Sequence, residues 1–265
     1  PPAMRALSAE NALNALRNLA RTAEVVRLLR LAGIQSIVLK GPLLAHDLYG
    51  DVALRVAGDV DVLVRDSELL GAAKTLVAAG YRPDTPVTAA AIRKYRKRRH
   101  DLSLAHPDDD TLVELHADIA QPHYGYHIDF EEWWASRRSR GLGNETVWSP
   151  SLQHAHLFTA LHAAKHRWHR LDLVSDIAAF AALGIDTGAH SWMLKPVDTG
   201  QEIAAWLFQG NHSNSAVVSH AVRQLVTGED FGKLDGIGFD LALRVGLGEK
   251  AKYLWKRLIS AKLGV

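Results

Sequence analysis

Apolar positions at three- and four-residue spacing open the chain. Leu13, Leu16, Leu19, Ala20, Ala23, Val26 and Leu29 follow the helical period and predict a helix over residues 8–31. Ser8 with Asn11 supplies only half a capping signal, because Glu or Gln is wanted three positions on. Gly33 suits a left-handed stop. A β-branched run then predicts a buried strand over residues 34–39. Lys40-Gly41-Pro42 turns the chain, and Pro42 fits the first position of a helix reaching Tyr49. The next strand is expected at 60–64. A helix over 66–79 follows, with Asp66 as its N-cap and Glu68 in its first turn. After Gly80 come an extended path at 81–83, a basic helix at 88–99, and strands at 102–104 and 111–116 around the turn 107–110. Beyond about residue 145 strand signals fade, and helices are expected at 152–167, 171–183, 200–208, 216–226 and 239–259. The predicted class is α+β: a small mixed sheet flanked by helices, followed by a mainly α-helical C-terminal half. The expected domains are residues 1–145 and 146–265. Pro1, Pro2 and Ala3 precede Met4 and are left out of this fold reading.

Composition narrows the class. Hydrophobic residues make up 48% and charged residues 23%, which supports a packed core and excludes a disordered or collagen-like chain. No apolar run approaches the roughly 18 residues of a membrane span, and no secretory leader is visible. Cysteine is absent, which excludes a disulfide scaffold, a thiolate zinc site, an iron–sulfur centre and a cysteine nucleophile. A cytoplasmic protein with no membrane partner is expected. The net charge of +2 is too mild for a protein that coats nucleic acid.

The sharpest chemical signal is Gly58-Asp59-Val60-Asp61-Val62-Leu63-Val64. Alternate strand residues share a face, so Asp59 and Asp61 point one way while Val60 and Val62 enter the core. Two carboxylates about 6–7 Å apart along a strand can converge on hard divalent ions such as Mg²⁺. Val113-Glu114-Leu115-His116 offers a third carboxylate, Glu114, if its strand lies beside the first. Asp-x-Asp also occurs as a solvated edge or turn cap. Lys40-Gly41 upstream adds a strand, a glycine turn and a helix start. Helix N-terminal amides bind phosphate, and glycine lets it approach the backbone.

Taken together, Leu39-Lys40-Gly41, Leu43-Leu44-Ala45, Tyr49-Gly50, Arg55, the Asp59–Asp61 strand, Gly80-Tyr81 and Val113-Glu114-Leu115-His116 resemble the uncharacterised nucleotidyltransferase family. That family lies within the DNA polymerase beta-like nucleotidyltransferase superfamily. Leu161-His162-Ala163-Ala164-Lys165-His166, Arg170-Leu171 and Asp176-Ile177-Ala178 resemble its helical half. The likeness runs over residues 34–180. It implies a nucleotidyltransferase palm, an NTP co-substrate and Mg²⁺, with Mn²⁺ as a substitute. It also implies that Asp59 and Asp61 hold metal, that Glu114 is the third acidic ligand and helps activate an acceptor hydroxyl, and that Gly41 seats phosphate. Pro42 departs from the superfamily's usual Gly-Ser or Gly-Gly turn and lacks an amide donor. Lys40 is expected to compensate as a point charge on phosphate.

Other residues have two readings each. Arg55 suits either a triphosphate or a structural pair with an aspartate. The run from Arg93 to Arg99 carries six Lys/Arg and suits either an anionic acceptor such as RNA or a solvated helix face. His162 and His166 share a helix face, and with Lys165 they are expected to line a cleft, Lys165 touching phosphate. With His154, His156 and His169 they also raise a zinc hydrolase reading, although no His-Glu-x-x-His motif is present. Asp176 is expected to pair with Lys165 or Arg170, or to face nucleotide. Trp133 and Trp134 suit core packing or a stacking wall. The expected activity is Mg²⁺-dependent transfer of a nucleoside monophosphate from an NTP to an acceptor hydroxyl on a small molecule, tRNA or protein. The alternative is an inactive nucleotide or nucleic-acid binding module on the same fold.

Overall fold

A computed structural model describes residues 2–97, 99–121, 124, 126–185 and 194–227. The first helix, α1 (Pro2–Leu31), starts earlier than its apolar period suggests. Nothing between Pro2 and Ser8 breaks a helix, and proline is tolerated at a helix's first position. Its buried face is also rotated from the expected stripe. Leu13 and Leu16 are exposed, while Ala15, Asn18, Thr22, Val25, Val26 and Leu29 are buried. Two polar residues therefore face inward, and one of them reaches the functional strand.

The central sheet joins β1 (Ser36–Val38), β2 (Asp59–Val64), β3 (Arg82–Pro83), β4 (Asp101–Ala105) and β5 (Leu112–His116) in the order β1-β2-β5-β4-β3. Only β2 and β5 run parallel; the other neighbours are antiparallel. The predicted α+β class with a mixed sheet is what the chain adopts. Between the strands lie α2 (Pro42–Tyr49), α3 (Leu69–Ala78) and α4 (Ala89–Arg96). Asp66 does not cap α3. It sits in a single 3-10 turn and pairs with Arg96 instead. Thr88 caps α4 by accepting from the Ala91 amide.

Strand alternation builds two different faces. Val60, Val62, Val113, Leu115, Leu102 and Leu104 pack against Val25 and Leu29 of α1 and the apolar side of α3. On the opposite face, Ile37, Leu39 and Leu63 pack against Leu157, Phe158 and Leu161 of α6 (Leu152–Lys165). The sheet is thus covered on both sides, and the helical half packs directly on the palm.

A second sheet was not foreseen. After α5 (Phe130–Ala135), the strands β6 (Arg138–Leu142) and β7 (Glu145–Ser149) form an antiparallel hairpin. Its sequence hides it: Arg138, Arg140 and Glu145 alternate with small residues, and only Val147 enters the core. Asp47 of α2 pairs with both Arg138 and Arg140, tying the hairpin to the palm. The expected division at 145/146 falls inside β7.

The remaining described helices are α7 (Leu171–Ala182), α8 (Leu194–Gln209) and α9 (Ala216–Thr227). They pack around Trp168, Val174, Ile177, Ile203 and Ala221. The helix expected at 239–259, and Trp192 and Trp255, lie outside the described residues. A side chain at Gly200 of α8 would place Cβ 2.7 Å from Ile177 Cδ1 and 3.0 Å from Trp168 Nε1. Gly200→Val is therefore expected to cost ~1–3 kcal/mol by overpacking. The measurement is a lower urea midpoint at an unchanged slope.

Candidate active site

The parallel pairing of β2 with β5 sets Asp61 directly opposite Glu114 and Asp59 opposite Leu112. The carboxylates of Asp59, Asp61 and Glu114 consequently occupy one face of two neighbouring strands, as the alternation requires. His116, two residues past Glu114, lies on that face too. Its Nε2 is 3.1 Å from Asp61 Oδ1 and 3.6 Å from Glu114 Oε2.

Burial is graded across the group. Asp61 and His116 are 1% and 2% exposed, while Asp59 and Glu114 reach solvent. Burial disfavours the charged form of Asp61, but the Lys40 ammonium and the His116 hydrogen bond outweigh it and hold its pKa well below the usual carboxylate range. For His116, burial acts against the proton, and Asp61 and Glu114 overcome it, raising the pKa to about 9. His116 is therefore an imidazolium at neutral pH. Its Nε2 is in hydrogen-bond contact with Asp61 Oδ1, and its buried Nδ1 has no hydrogen-bond partner among the described residues.

Lys40 follows β1 and is almost buried. Its Nζ lies 3.1 and 3.0 Å from the two Asp59 oxygens and 2.9 Å from Asp61 Oδ2. The Asp61 Oδ2 contact is off the hydrogen-bonding direction, which leaves that buried oxygen without a hydrogen bond. The lysine expected to compensate on phosphate rests between the two aspartates and also lines the neighbouring cavity. Gly41 adopts φ 82°, a left-handed conformation that favours glycine, and Pro42 begins α2. Gly41 does not line the neighbouring cavity; Lys40 does.

Asn18 of α1 was missed by the sequence reading. Its Nδ2 donates to the Asp59 carbonyl at 2.7 Å, and its Oδ1 would stand 3.3 Å from a Cβ at Gly41. Its burial lies off the apolar stripe of α1, so the sequence pattern carried no signal for it.

A cavity of about 400 Å³ opens between the palm and the helical half. Lys40, Arg55, Asp59 and Glu114 line it from the palm. His162, Lys165, His166 and Arg170 line it from the other side. The chain brings the last of these in through a tight turn after α6, where Arg167 and Trp168 take left-handed backbone (φ 54° and 52°) around the buried Trp168 ring. Burial, then the Lys40 ammonium, keeps His162 well below the ordinary histidine pKa. Burial and the neighbouring Lys165 lower His166 to about 4. Both imidazoles are neutral at pH 7, their ring centroids 4.8 Å apart.

Arg55 lines the cavity yet spends its Nε on Asp176, 2.7 Å away and buried. Tyr49 donates to the other Asp176 oxygen at 2.7 Å. Asp176 therefore pairs with neither Lys165 nor Arg170; the latter is held by Asp172. The pair joins α7 to the loop before β2. Trp133 is buried with its ring stacked on His154 at 4.5 Å, which matches core packing. Trp134 is half-buried under the Arg137 guanidinium. On the basic run, Arg96 pairs with Asp66 and Arg99 with Asp101. Arg93, Lys94 and Lys97 are exposed, and none of the run's described residues lines the cavity. Arg98 lies outside the described residues.

Among the described residues, the group of metal-ligand side chains that converges is Asp61, Glu114 and His116, with ligand atoms within 4.8 Å of one another. The helix histidines form no such group there. The carboxylates of Asp61 and Glu114 in that group, with Asp59 on the same face of β2, are hard oxygen donors of the kind a divalent cation takes, and Asp61 Oδ2 is held there by the Lys40 ion pair.

A family model described as an uncharacterised nucleotidyltransferase matches residues 1–192, and the chain belongs to that family. No curated protein and no solved structure gives a significant match. Among the described residues, no helix is long and apolar enough to cross a membrane.

Three outcomes follow from these groups. Asp176→Ala leaves the Arg55 charge buried without its partner and is expected to cost ~3–5 kcal/mol in denaturant unfolding. Tyr49→Phe should cost nearer ~1 kcal/mol. His166 has a folded pKa of about 4 against an ordinary value of 6.5, so the unfolded chain takes up the proton first. Its contribution is constant above about pH 6.5, and it lowers stability as pH falls from there towards 4. His166→Asn is expected to lose less stability than wild type across that window, measured by unfolding at fixed pH steps.

Proposed function

We propose that this member of the uncharacterised nucleotidyltransferase family moves a nucleoside monophosphate from an NTP to an acceptor hydroxyl, releasing pyrophosphate. The observation that carries the reading is that Asp59 and Glu114 line a cavity faced by lysine and arginine, with Asp61 buried beside them and paired in register with Glu114. Carboxylates alone would repel a triphosphate. Lysine and arginine on the facing helices would attract it, and the two together suit a metal-bridged polyphosphate.

Mg²⁺ or Mn²⁺ held by Asp59, Asp61 and Glu114 would supply charge neutralisation at the phosphate oxygens and the departing pyrophosphate. Lys165 and Arg170 would hold the outer phosphates electrostatically. Arg55, fixed by Asp176, would add positive potential to the wall. The acceptor oxygen would bond to the α-phosphorus as the bond to pyrophosphate breaks, its hydroxyl proton passing to Glu114 and from that partly exposed side chain to solvent. His116 holds Asp61 and Glu114 in place from behind. Neutral His162 and His166 offer ring faces and lone pairs without adding charge.

The acceptor is read as anionic, RNA included, from the exposed Arg93, Lys94 and Lys97. Small-molecule and protein hydroxyls fit the same chemistry.

The test is titration calorimetry of each NTP, with and without Mg²⁺, into wild type and the Asp59→Ala/Asp61→Ala double variant. Wild type is expected to bind one NTP only with metal, and the double variant to bind none. Pyrophosphate release with that NTP should then fall by at least about a hundredfold in either single Asp→Asn variant. Equal, metal-independent binding in both proteins would support the binding-module alternative.

A further inference from the structure

We propose that Lys40 is the resident counter-ion of the aspartate pair, displaced into the cavity when a divalent cation binds, so that metal and triphosphate each favour the other's binding. This rests on the nucleotidyl-transfer reading of the site.

The geometry is specific. Lys40 Nζ contacts three carboxylate oxygens at 2.9–3.1 Å, two from Asp59 and one from Asp61. A hard cation bound by this pair needs those lone pairs at about 2.0–2.1 Å. A carboxylate oxygen has two lone pairs, so the competition is electrostatic: an ammonium and a divalent ion drawn to the same oxygens repel each other at that range. The surrounding backbone is fixed. The Leu39 amide donates to the Asp61 carbonyl at 3.0 Å, and the Ala45 amide to the Gly41 carbonyl at 3.1 Å. Movement is therefore left to the lysine's flexible four-carbon stem.

The space it can enter is already on its own wall, since Lys40 lines the 400 Å³ cavity. Without an anion there, a displaced ammonium meets Lys165 and Arg170. Metal binding alone then loses one ion pair and gains a repulsion. A triphosphate in the cavity reverses the balance by giving the ammonium a partner. Such coupling must be reciprocal between the two ligands.

The experiment measures Mn²⁺ alone, by the electron paramagnetic resonance of the free ion, in wild type, Lys40→Met, Lys40→Gln, Lys40→Arg and Asp61→Asn. Lys40→Gln keeps a hydrogen-bond donor against the aspartates, which guards against a variant that fails to fold. The neutral variants are expected to bind Mn²⁺ about tenfold more tightly than wild type, within the usual range of coupling factors. Lys40→Arg should stay close to wild type. Thermal melting supplies a second readout. The neutral variants should melt below wild type in EDTA and gain more from Mn²⁺. Their affinity for inorganic tripolyphosphate in saturating Mg²⁺, by calorimetry, should fall about tenfold. Equal or weaker Mn²⁺ binding in the neutral variants, with binding still removed by Asp61→Asn, overturns the counter-ion role and leaves the metal centre standing. No Mn²⁺ binding sensitive to Asp61 in any variant overturns both.

Discussion

Carboxylates gathered on one face of two adjacent strands repel one another, and the rest of this structure answers that constraint. Asp61 is almost fully buried, where an isolated charge would be expelled or neutralised by protonation. It stays ionised because two cations reach it from different elements. Lys40 arrives from the turn after β1, and His116 from β5 itself. Either cation alone would leave a negative group in a poor dielectric environment. The pair makes the cluster compatible with folding and also decides which of its oxygens remain available. Asp59 and Glu114, on the cavity side, keep the more open positions.

The scaffold around this cluster is built to hold it still. One face of the sheet is an apolar contact with α1 and α3, and the other meets α6 beyond the carboxylates. The functional strands thus sit between two cores. Asn18 fastens α1 to the Asp59 carbonyl, and the Arg55–Asp176–Tyr49 contact fastens α7 to the palm. Both ties are polar, and Asp59 and Arg55, one end of each, line the cavity. The helical half is therefore the second wall of the same site. It supplies Lys165 and Arg170, opposite the acidic strands.

Regular periodicity accounts for what could be read in advance. The strand with alternating aspartates and its partner with Glu114 have patterns that match their final burial, and helices α2, α6, α7 and α9 lie where their sequence predicts helix. The hairpin β6–β7 was illegible because its strands carry arginines and a glutamate, and only Val147 reaches a core. The face of α1 was misjudged because it packs through Asn18 and Thr22, which a hydrophobic pattern ignores. Asp66 had the composition of a helix cap but was drawn to Arg96. In each case a long-range polar contact overrode a local preference.

The amino-acid sequence by itself determined which residue types the site contains and which face of each strand they occupy, because a two-residue period leaves no other choice. It determined equally that cysteine chemistry is absent. Tertiary structure alone decided the pairings: that β5 lies parallel beside β2 with Asp61 against Glu114, that Lys40 rests on the aspartates, and that Asp176 takes Arg55 rather than Lys165 or Arg170. The reason is physical. Periodicity is a property of neighbours along the chain, whereas the partner of a charge depends on which distant group is delivered within about 3 Å of it, out of water.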